Sequence, residues 1–306
     1  MKSNLKNKQA FIGYLFAVTA TAIWSGNFII ARGLNESIPP VSLAFWRWVV
    51  AVIAFLPFAL KSVIKEWNSI KKHFLFLSIV SILGITIFNT LIYFAGQTTT
   101  AINLSLISIT FPIFIIIISR IFLKEVITFN KIIGVVIVIF GVVLLITKGN
   151  IAGLFQIEFA VGDLWMLLAS LIFAIYSILL KYKPKELSLL AFQLMTFMIG
   201  LFFLLPFYIW EYTTSPALEY DNVTVSSILY VGIFASLIAF VLWNKSIIHV
   251  GPTKAGLIYY TLPLFSGFLA YVFLNEEITR VHVYSLFLIL IGILLAIYSP
   301  KEKQEK

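Results

Sequence analysis

The sequence of 306 residues has no cysteine and few ionisable side chains. The absence of cysteine excludes disulfides, thiolate metal sites and cysteine nucleophiles. Asp and Glu number 13 together, and the three histidines, His73, His249 and His282, are scattered along the chain. This pattern offers no aspartate cluster, no metal-binding His/Glu arrangement and no activated nucleophile. We therefore expect a protein that is not an enzyme and that uses no metal and no cofactor.

Charged residues are also scarce, at 11%, whereas hydrophobic residues reach 61% and the mean hydropathy is +1.02. Too few charges remain to cover a soluble globule. The apolar runs are about twenty residues long, the length that an α-helix needs to cross a bilayer. We predict an all-α integral membrane protein with ten transmembrane helices. Spans 1 to 10 are predicted, in order, at 10–31, 41–60, 74–94, 101–122, 131–148, 160–181, 188–210, 226–246, 254–274 and 282–299.

The two halves of the chain resemble each other. Residues 13–58 align without gaps on 162–207, and residues 90–146 align on 241–297. Between 101–146 and its counterpart, 13 of 46 positions are identical. These identities indicate an internal duplication.

Each copy holds five spans, and an odd number of crossings makes the second copy begin on the opposite side of the membrane. The sequence therefore predicts two inverted five-helix repeats, at 10–148 and 160–299, with cytoplasmic tails at 1–9 and 300–306. Inverted repeats are typical of alternating-access transporters.

Lys and Arg are distributed unevenly over the predicted loops. With the N-terminus in the cytoplasm, 18 of the 22 lie on the cytoplasmic side, three lie outside and Arg47 lies within a span. This positive-inside asymmetry predicts a multi-pass membrane protein with both termini cytoplasmic. The basic residues form no continuous face, so no nucleic-acid partner is expected. The oligomeric state stays open.

Pro112 and Pro263 are repeat counterparts near the centres of spans 4 and 9. A proline inside a helix removes one hydrogen bond and displaces the carbonyl four residues earlier, here those of Ser108 and Tyr259. We predict a helix kink at each proline. Carbonyls freed at this depth favour a wet central cavity, although helix packing alone also accounts for such kinks.

Polar and aromatic side chains recur at helical spacing on spans 1, 3, 4 and 6, and Asn244 occupies the place of Tyr93 on span 8, beside Trp243. Inward-facing amides and rings can hold a small polar solute, although amides also bond neighbouring helices directly. The candidate solute-binding residues are Trp24, Asn27, Asn89, Tyr93, Tyr176, Trp243, Asn244 and Tyr259.

Arg47 is the ninth candidate and the one permanent charge well inside a span. An ionisable residue at such a position is a functional candidate by default, and a guanidinium suits a carboxylate or phosphate. The alternative is that Arg47 reaches the membrane surface from an interfacial belt formed with Trp46 and Trp48.

No Asp or Glu lies near the centre of any span. This argues against an antiporter of lipophilic cations but leaves ion coupling through backbone carbonyls open. The longest polar stretch, 211–225, is predicted as a solvated external connector.

Several motifs resemble the drug/metabolite transporter superfamily, in its ten-helix branch with two EamA domains. They are Ala44-Phe-Trp-Arg-Trp48, the segment 101–112 followed by Leu123-Lys-Glu125, and Leu242-Trp-Asn-Lys-Ser246 leading to Pro263 and Glu276. The resemblance implies ten helices around a central cavity. It also implies a location in the cell (inner) membrane of a bacterium and export of small metabolites, often amino acids or related compounds. Lys124 and Asn275 stand where many relatives have glycine.

These observations favour a transporter in the lipid bilayer whose partner is a small polar metabolite. One alternative is an uptake facilitator for a nucleoside-like or vitamin-like ring compound, which the aromatic residues also suit. A second is a membrane-embedded enzyme acting on lipid-linked substrates, which the scattered histidines disfavour.

Overall fold

A computed structural model describes residues 2–33, 38–99, 101–156, 160–215, 221–274 and 279–297 of the chain. Over these residues the secondary structure is helical, and the predicted all-α membrane fold class is confirmed. The segment 300–306 and residues Asn275 and Glu276 lie outside the described part. The spans, in order, are Lys2–Gly33, Pro40–Lys65, Phe74–Thr98, Ala101–Ser108 with Thr110–Phe122, Phe129–Ile146, Val161–Tyr182, Leu189–Thr214, Asn222–Val250, Pro252–Tyr259 with Leu262–Leu274, and Arg280–Ile297.

Seven of the described helices are long and apolar enough to cross a membrane. Several extend past the predicted bounds, because polar residues continue a helix beyond the hydrocarbon region. Span 1 begins at Lys2, within the predicted tail, and span 2 continues to Lys65. Short helices at Trp67–Lys72 and Ile151–Gln156 lie in the connections.

Spans 4 and 9 are each divided into two helices upstream of a proline. The first helix of span 4 ends at Ser108, four residues before Pro112, and the first helix of span 9 ends at Tyr259, four residues before Pro263. The residue four positions later is a proline at both places, and a proline has no N–H to donate the usual helical hydrogen bond.

A threonine two residues before each proline bonds a carbonyl of the preceding turn. Thr110 Oγ1 donates to Ile107 O at 2.6 Å, and Thr261 Oγ1 donates to Ile258 O at 2.8 Å. The two threonines are repeat counterparts. Both copies therefore place the same side-chain hydrogen bond beside the break.

Spans 3 and 8 each contain a π-helical segment, Ile82–Ile87 and Val231–Ile238. The two segments end at counterpart positions of the repeat. A π-segment inserts an extra residue per turn and rotates the side chains that follow, and such segments are frequent at functional sites. Both lie next to the polar side chains described below.

Helices that correspond between the copies also pack against each other. Spans 5 and 10 cross at Gly134 and Gly292, where a Cβ atom on Gly134 would meet the carbonyl oxygen of Gly292 at 2.5 Å. A Cβ atom on Gly292 would meet the carbonyl oxygen of Gly134 at 2.6 Å. Only glycine permits this approach, as is common at interfaces between membrane helices.

Close contacts at the starts of spans 1 and 6 are also related by the repeat. Gly13 packs against His249 and Val250 at the end of span 8, and Gly162 packs against Thr98 and Thr99 at the end of span 3. In the repeat alignment Gly13 corresponds to Gly162, and His249 and Val250 correspond to Thr98 and Thr99. This correspondence is independent of residue identity and agrees with two inverted copies.

Span 7 continues through part of the stretch predicted as a solvated connector. Glu211 lies in this helix and is buried, so the prediction for 211–225 was wrong at its start. Its carboxylate accepts from Val41 N at 3.0 Å and from Ser42 N at 2.6 Å, the free amides at the start of span 2. Glu66, after the end of span 2, accepts from Ser188 N at 2.7 Å before span 7. Spans 2 and 7, which correspond in the repeat, therefore cap each other's first residues.

Candidate functional site

Arg47 points into the protein and is completely buried. Its Nε donates to Ser236 Oγ at 2.6 Å, and its Nη1 donates to Asn89 Oδ1 at 2.8 Å and to the Tyr93 hydroxyl. The guanidinium carbon lies 5.3 Å from the ring centroid of Trp48 and 5.6 Å from that of Tyr93. Span 2 thus places a cation among groups of spans 3 and 8.

This position is incompatible with the alternative in which Arg47 reaches the membrane surface. Trp48, the predicted partner in an interfacial belt, is also completely buried. Its ring packs against Phe197 at 4.8 Å and against Phe240 at 5.1 Å between centroids. Arg47 and Trp48 therefore belong to the interior of the bundle.

Asn27 completes a set of hydrogen-bonded side chains around Arg47, because the Tyr93 hydroxyl donates to Asn27 Oδ1 at 3.1 Å. Asn27, Arg47, Asn89, Tyr93 and Ser236 are named the first polar cluster. The π-helical segment of span 8 positions Ser236, whose Oγ donates to Val231 O at 2.8 Å. Ser236 gave no signal in the sequence, since one serine in an apolar span is unremarkable.

The second polar cluster consists of Tyr176, Gln193 and Asn244. The Tyr176 hydroxyl donates to Asn244 Oδ1 at 3.1 Å, and Asn244 Nδ2 donates to Gln193 Oε1. Gln193 was not among the candidates, although an amide within the apolar span 7 is the signal that could have identified it. Its counterpart in the first copy is Ala44, so comparison of the repeats does not highlight it.

Between the two polar clusters lies a set of packed rings, the aromatic cluster, in which Trp24 is central. Its ring lies 5.3 Å from Trp243, 5.4 Å from Phe173 and 6.3 Å from Tyr259 between centroids. Trp24 Nε1 donates to Ala235 O at 2.9 Å, in the π-helical segment of span 8. The members are Trp24, Phe111, Phe173, Phe240, Trp243 and Tyr259.

The aromatic cluster connects the two polar clusters. Phe240 packs against Trp48, beside Arg47, and lies 6.0 Å from the ring of Tyr176. Phe111, next to Pro112, lies 4.9 Å from Phe173. The structure thus brings all nine predicted solute-binding residues into three adjoining clusters on spans 1, 2, 3, 6, 8 and 9.

Hydrogen-bonded carboxylates lie towards both ends of the bundle. Beyond the end of span 4, Glu125 accepts from Thr253 Oγ1 at 2.6 Å, and its other oxygen lies 4.0 Å from Lys181 Nζ. Towards the start of span 4, Asp163 accepts from Asn103 Nδ2 at 3.0 Å. Each contact joins the first copy to the second on one side of the clusters.

The charge of Arg47 is not balanced within the described part of the structure. Its bonded partners there are neutral, and its Nη2 has no hydrogen-bond partner. Removing a charge from water is costly unless it is paired, and cation–π contacts recover only part of the cost. The arrangement can therefore accept an anionic group at a defined nitrogen atom.

Comparison with known proteins identifies the family. The model of the EamA-like transporter family matches residues 11–147 and 160–298. The chain belongs to this family. The two matches fall on the two copies, consistent with inverted repeats, and the protein is a multi-pass membrane transporter homologue of the drug/metabolite transporter superfamily.

Relatives of this EamA-like chain are similar over nearly their whole length. One from Archaeoglobus fulgidus, named an uncharacterized transporter, is 29% identical over 272 residues, which cover 86% of this chain and 90% of the relative. The uncharacterized transporter YetK of Bacillus subtilis is 25% identical over a region that covers 96% of this chain and 89% of YetK. A solved crystal structure superposes with a TM-score of 0.74 at 17% identity, over 93% of this chain and 96% of the other chain. At this identity the likeness shows the fold alone.

Proposed function

We propose that the protein is a secondary transporter or facilitator that moves a small polar metabolite with an anionic group. The solute binds at the three clusters, which become exposed to the two sides of the membrane in turn. The observation that carries the proposal is the buried Arg47 guanidinium with its unpaired Nη2. A solute carboxylate or phosphate would supply the missing acceptor and charge.

The arrangement of the repeats supports alternating exposure. The clusters combine spans of both copies, and the contacts of Glu125 and Asp163 lie on opposite sides of them. Rocking of one copy against the other would break one set of contacts while keeping the other, as in other transporters with inverted repeats. We further propose both termini in the cytoplasm and flux directed outward, on the basis of the lysine distribution and the family resemblance.

Counterflow into proteoliposomes tests this function. Vesicles loaded with amino acids, organic acids, nucleosides or vitamins are mixed with the same labelled compound outside, and accumulation identifies a substrate. We expect accumulation of an acid. Arg47→Gln should reduce this accumulation by about 100-fold, because removing one partner of a buried charge pair costs about 2–5 kcal/mol.

Arg120→Gln is the matched control, because Arg120 is exposed at the end of span 4. It should transport at the wild-type rate. Equal transport by Arg47→Gln and Arg120→Gln would contradict the proposal, as would accumulation of nucleosides alone. The second result would favour the ring-compound facilitator.

A further inference from the structure

A cavity of about 380 Å³ lies where spans 6 and 8 end. Lys181, Lys183 and Lys185 line it, together with Gly251 and three aliphatic side chains. Its volume falls in the range of about 300–1,000 Å³ that is typical of sites for small ligands. We name it the lysine cavity.

The lysine cavity lies at the depth where phospholipid head groups meet the protein. Span 6 ends at Tyr182 and span 8 at Val250, and both spans are long and apolar enough to cross a membrane. The ends of such helices lie in the polar layer of the bilayer. Lys181 and Lys185 are exposed there, so a charged group at the membrane surface can reach them.

The wall of the lysine cavity that faces the bundle is apolar. Leu180 and Ile247 are buried and lie one helical turn beyond Tyr176 and Asn244 of the second polar cluster. Ile248, which also lines the cavity, is exposed. A soluble ion gains nothing from such a surface, whereas the carbons of a lipid next to its phosphate would be removed from water there.

Lys181 is held only weakly by its carboxylate partner. Its Nζ lies 4.0 Å from Glu125 Oε1, and both side chains are partly exposed. Glu125 also lies close enough to Lys131 to interact with its charge. Exposed ion pairs of this kind contribute little to stability. A phosphate, with a full negative charge and several acceptor oxygens, can therefore replace Glu125 at Lys181.

Lys183 is the least exposed of the three lysines. Its Nζ donates to Pro184 O at 2.9 Å. Partial burial lowers the pKa of its ammonium, while Glu66 and Glu186 act in the opposite direction. An anion placed in the cavity would stabilise this charged form further.

We propose that the lysine cavity binds the phosphate head group of an anionic phospholipid, with Lys181 and Lys185 as its main contacts and the aliphatic wall against the adjoining lipid carbons. A bound phosphate draws Lys181 away from Glu125, whose other oxygen accepts from Thr253 Oγ1 at 2.6 Å. Anionic lipid thereby weakens the contacts that join spans 4, 6 and 9 at this end of the bundle. The site is distinct from Arg47, so its ligand is independent of the transported solute.

Lysine acylation in lipid nanodiscs tests the proposal. The protein is placed in nanodiscs of phosphatidylcholine, with or without phosphatidylglycerol, and treated with a water-soluble acylating reagent, and mass spectrometry measures the rate at each lysine. Phosphatidylglycerol at about ten times its dissociation constant should slow acylation of Lys181 and Lys185 by about tenfold, because only the free site reacts. Lys71, exposed on the short helix between spans 2 and 3, is the control and should react at an unchanged rate.

Substitutions test the individual contacts, with the fraction of phosphatidylglycerol varied and the remaining lysines followed. Lys181→Gln and Lys185→Gln should each weaken lipid binding by about fivefold, since each lysine near a membrane surface attracts anionic lipid. Lys71→Gln is the matched control. Glu125→Gln should strengthen binding by about threefold, because it removes a competitor for Lys181. Asp221→Asn, at the opposite end of span 8, should leave binding unchanged.

Three results would overturn the proposal. Equal protection of Lys71 and the cavity lysines would show a general effect of anionic lipid on the protein surface. Protection by inorganic phosphate in phosphatidylcholine nanodiscs, without protection by phosphatidylglycerol, would assign the site to a soluble anion. Unchanged acylation under both conditions would exclude an anion site. Each of these results would leave the proposal for Arg47 standing, because acylation does not depend on transport.

Discussion

The two copies of the repeat build the same hydrogen bond from exchanged residues. In the first copy, Tyr93 of span 3 donates to Asn27 of span 1 at 3.1 Å. In the second, Tyr176 of span 6 donates to Asn244 of span 8, also at 3.1 Å. Asn27 corresponds to Tyr176 and Tyr93 to Asn244, so tyrosine and asparagine have changed places while the bond is kept.

The charge, in contrast, is present in one copy only. The counterpart of Arg47 is Thr196, which is also buried but whose hydroxyl donates to Gln193 O in its own helix at 2.9 Å. The two copies therefore share a hydrogen-bonded frame and differ in the buried charge that it surrounds. Features shared by the copies should therefore affect folding, and features of one copy should affect transport.

The largest expected effect concerns a shared feature, the crossing of spans 5 and 10. Gly134→Leu and Gly292→Leu should both prevent accumulation of folded protein, because each side chain would meet a backbone carbonyl that cannot move aside. Size-exclusion profiles of detergent-solubilised protein measure this. Gly153→Leu, in a connection, is the control, because a Cβ atom at Gly153 would meet the Asn150 side chain at an ordinary contact distance of 3.6 Å. A normal profile for either variant at the crossing would refute this packing.

Next in size is the comparison of the two tyrosines. Tyr93→Phe removes the contacts with Arg47 and Asn27, whereas Tyr176→Phe removes one contact with Asn244. Transport should fall by about tenfold or more in Tyr93→Phe and by about threefold in Tyr176→Phe, since hydrogen bonds to charged groups are worth about twice neutral ones. Initial counterflow rates measure both. Equal losses of transport in the two variants would show that the difference in charge between the copies does not affect transport.

Much of this frame could be predicted from the sequence, because apolar runs and proline positions have direct physical consequences. Counterpart alignment placed Pro112 and Pro263 at equivalent depths, and the helices are interrupted upstream of both. Helical spacing identified Asn89 and Tyr93 as one stripe, and both contact Arg47. Patterns within one helix were sufficient for these residues.

Contacts between helices were harder to predict. Glu211 was placed in a solvated connector because acidic residues are usually exposed, yet it caps span 2 from a helix 170 residues away in sequence. Gln193 and Ser236 each stand alone among apolar neighbours, and their roles depend on residues of other spans. The π-helical segments leave no periodic signal, although they set the direction of Ser236.

The smallest expected effect concerns the two capping glutamates. Glu211 accepts three hydrogen bonds at the start of span 2, and Glu66 accepts one before span 7. Glu211→Gln should lower the midpoint of thermal unfolding by several degrees and Glu66→Gln by less, with about 1–2 kcal/mol per lost charged cap. Fluorescence-based unfolding in detergent measures this. A larger loss for Glu66→Gln would reverse the assigned order.

Labelling of a single engineered cysteine tests most directly whether the centre is exposed to both sides of the membrane. The chain has no cysteine, and Ser236, whose Oγ lies 2.6 Å from Arg47 Nε, can be replaced by Ser236→Cys with little change in size. A membrane-impermeant thiol reagent should label this variant when added to either side of oriented vesicles, and the transported acid should slow the labelling. Labelling from one side alone, or labelling that the acid does not affect, would contradict a shared solute site at Arg47.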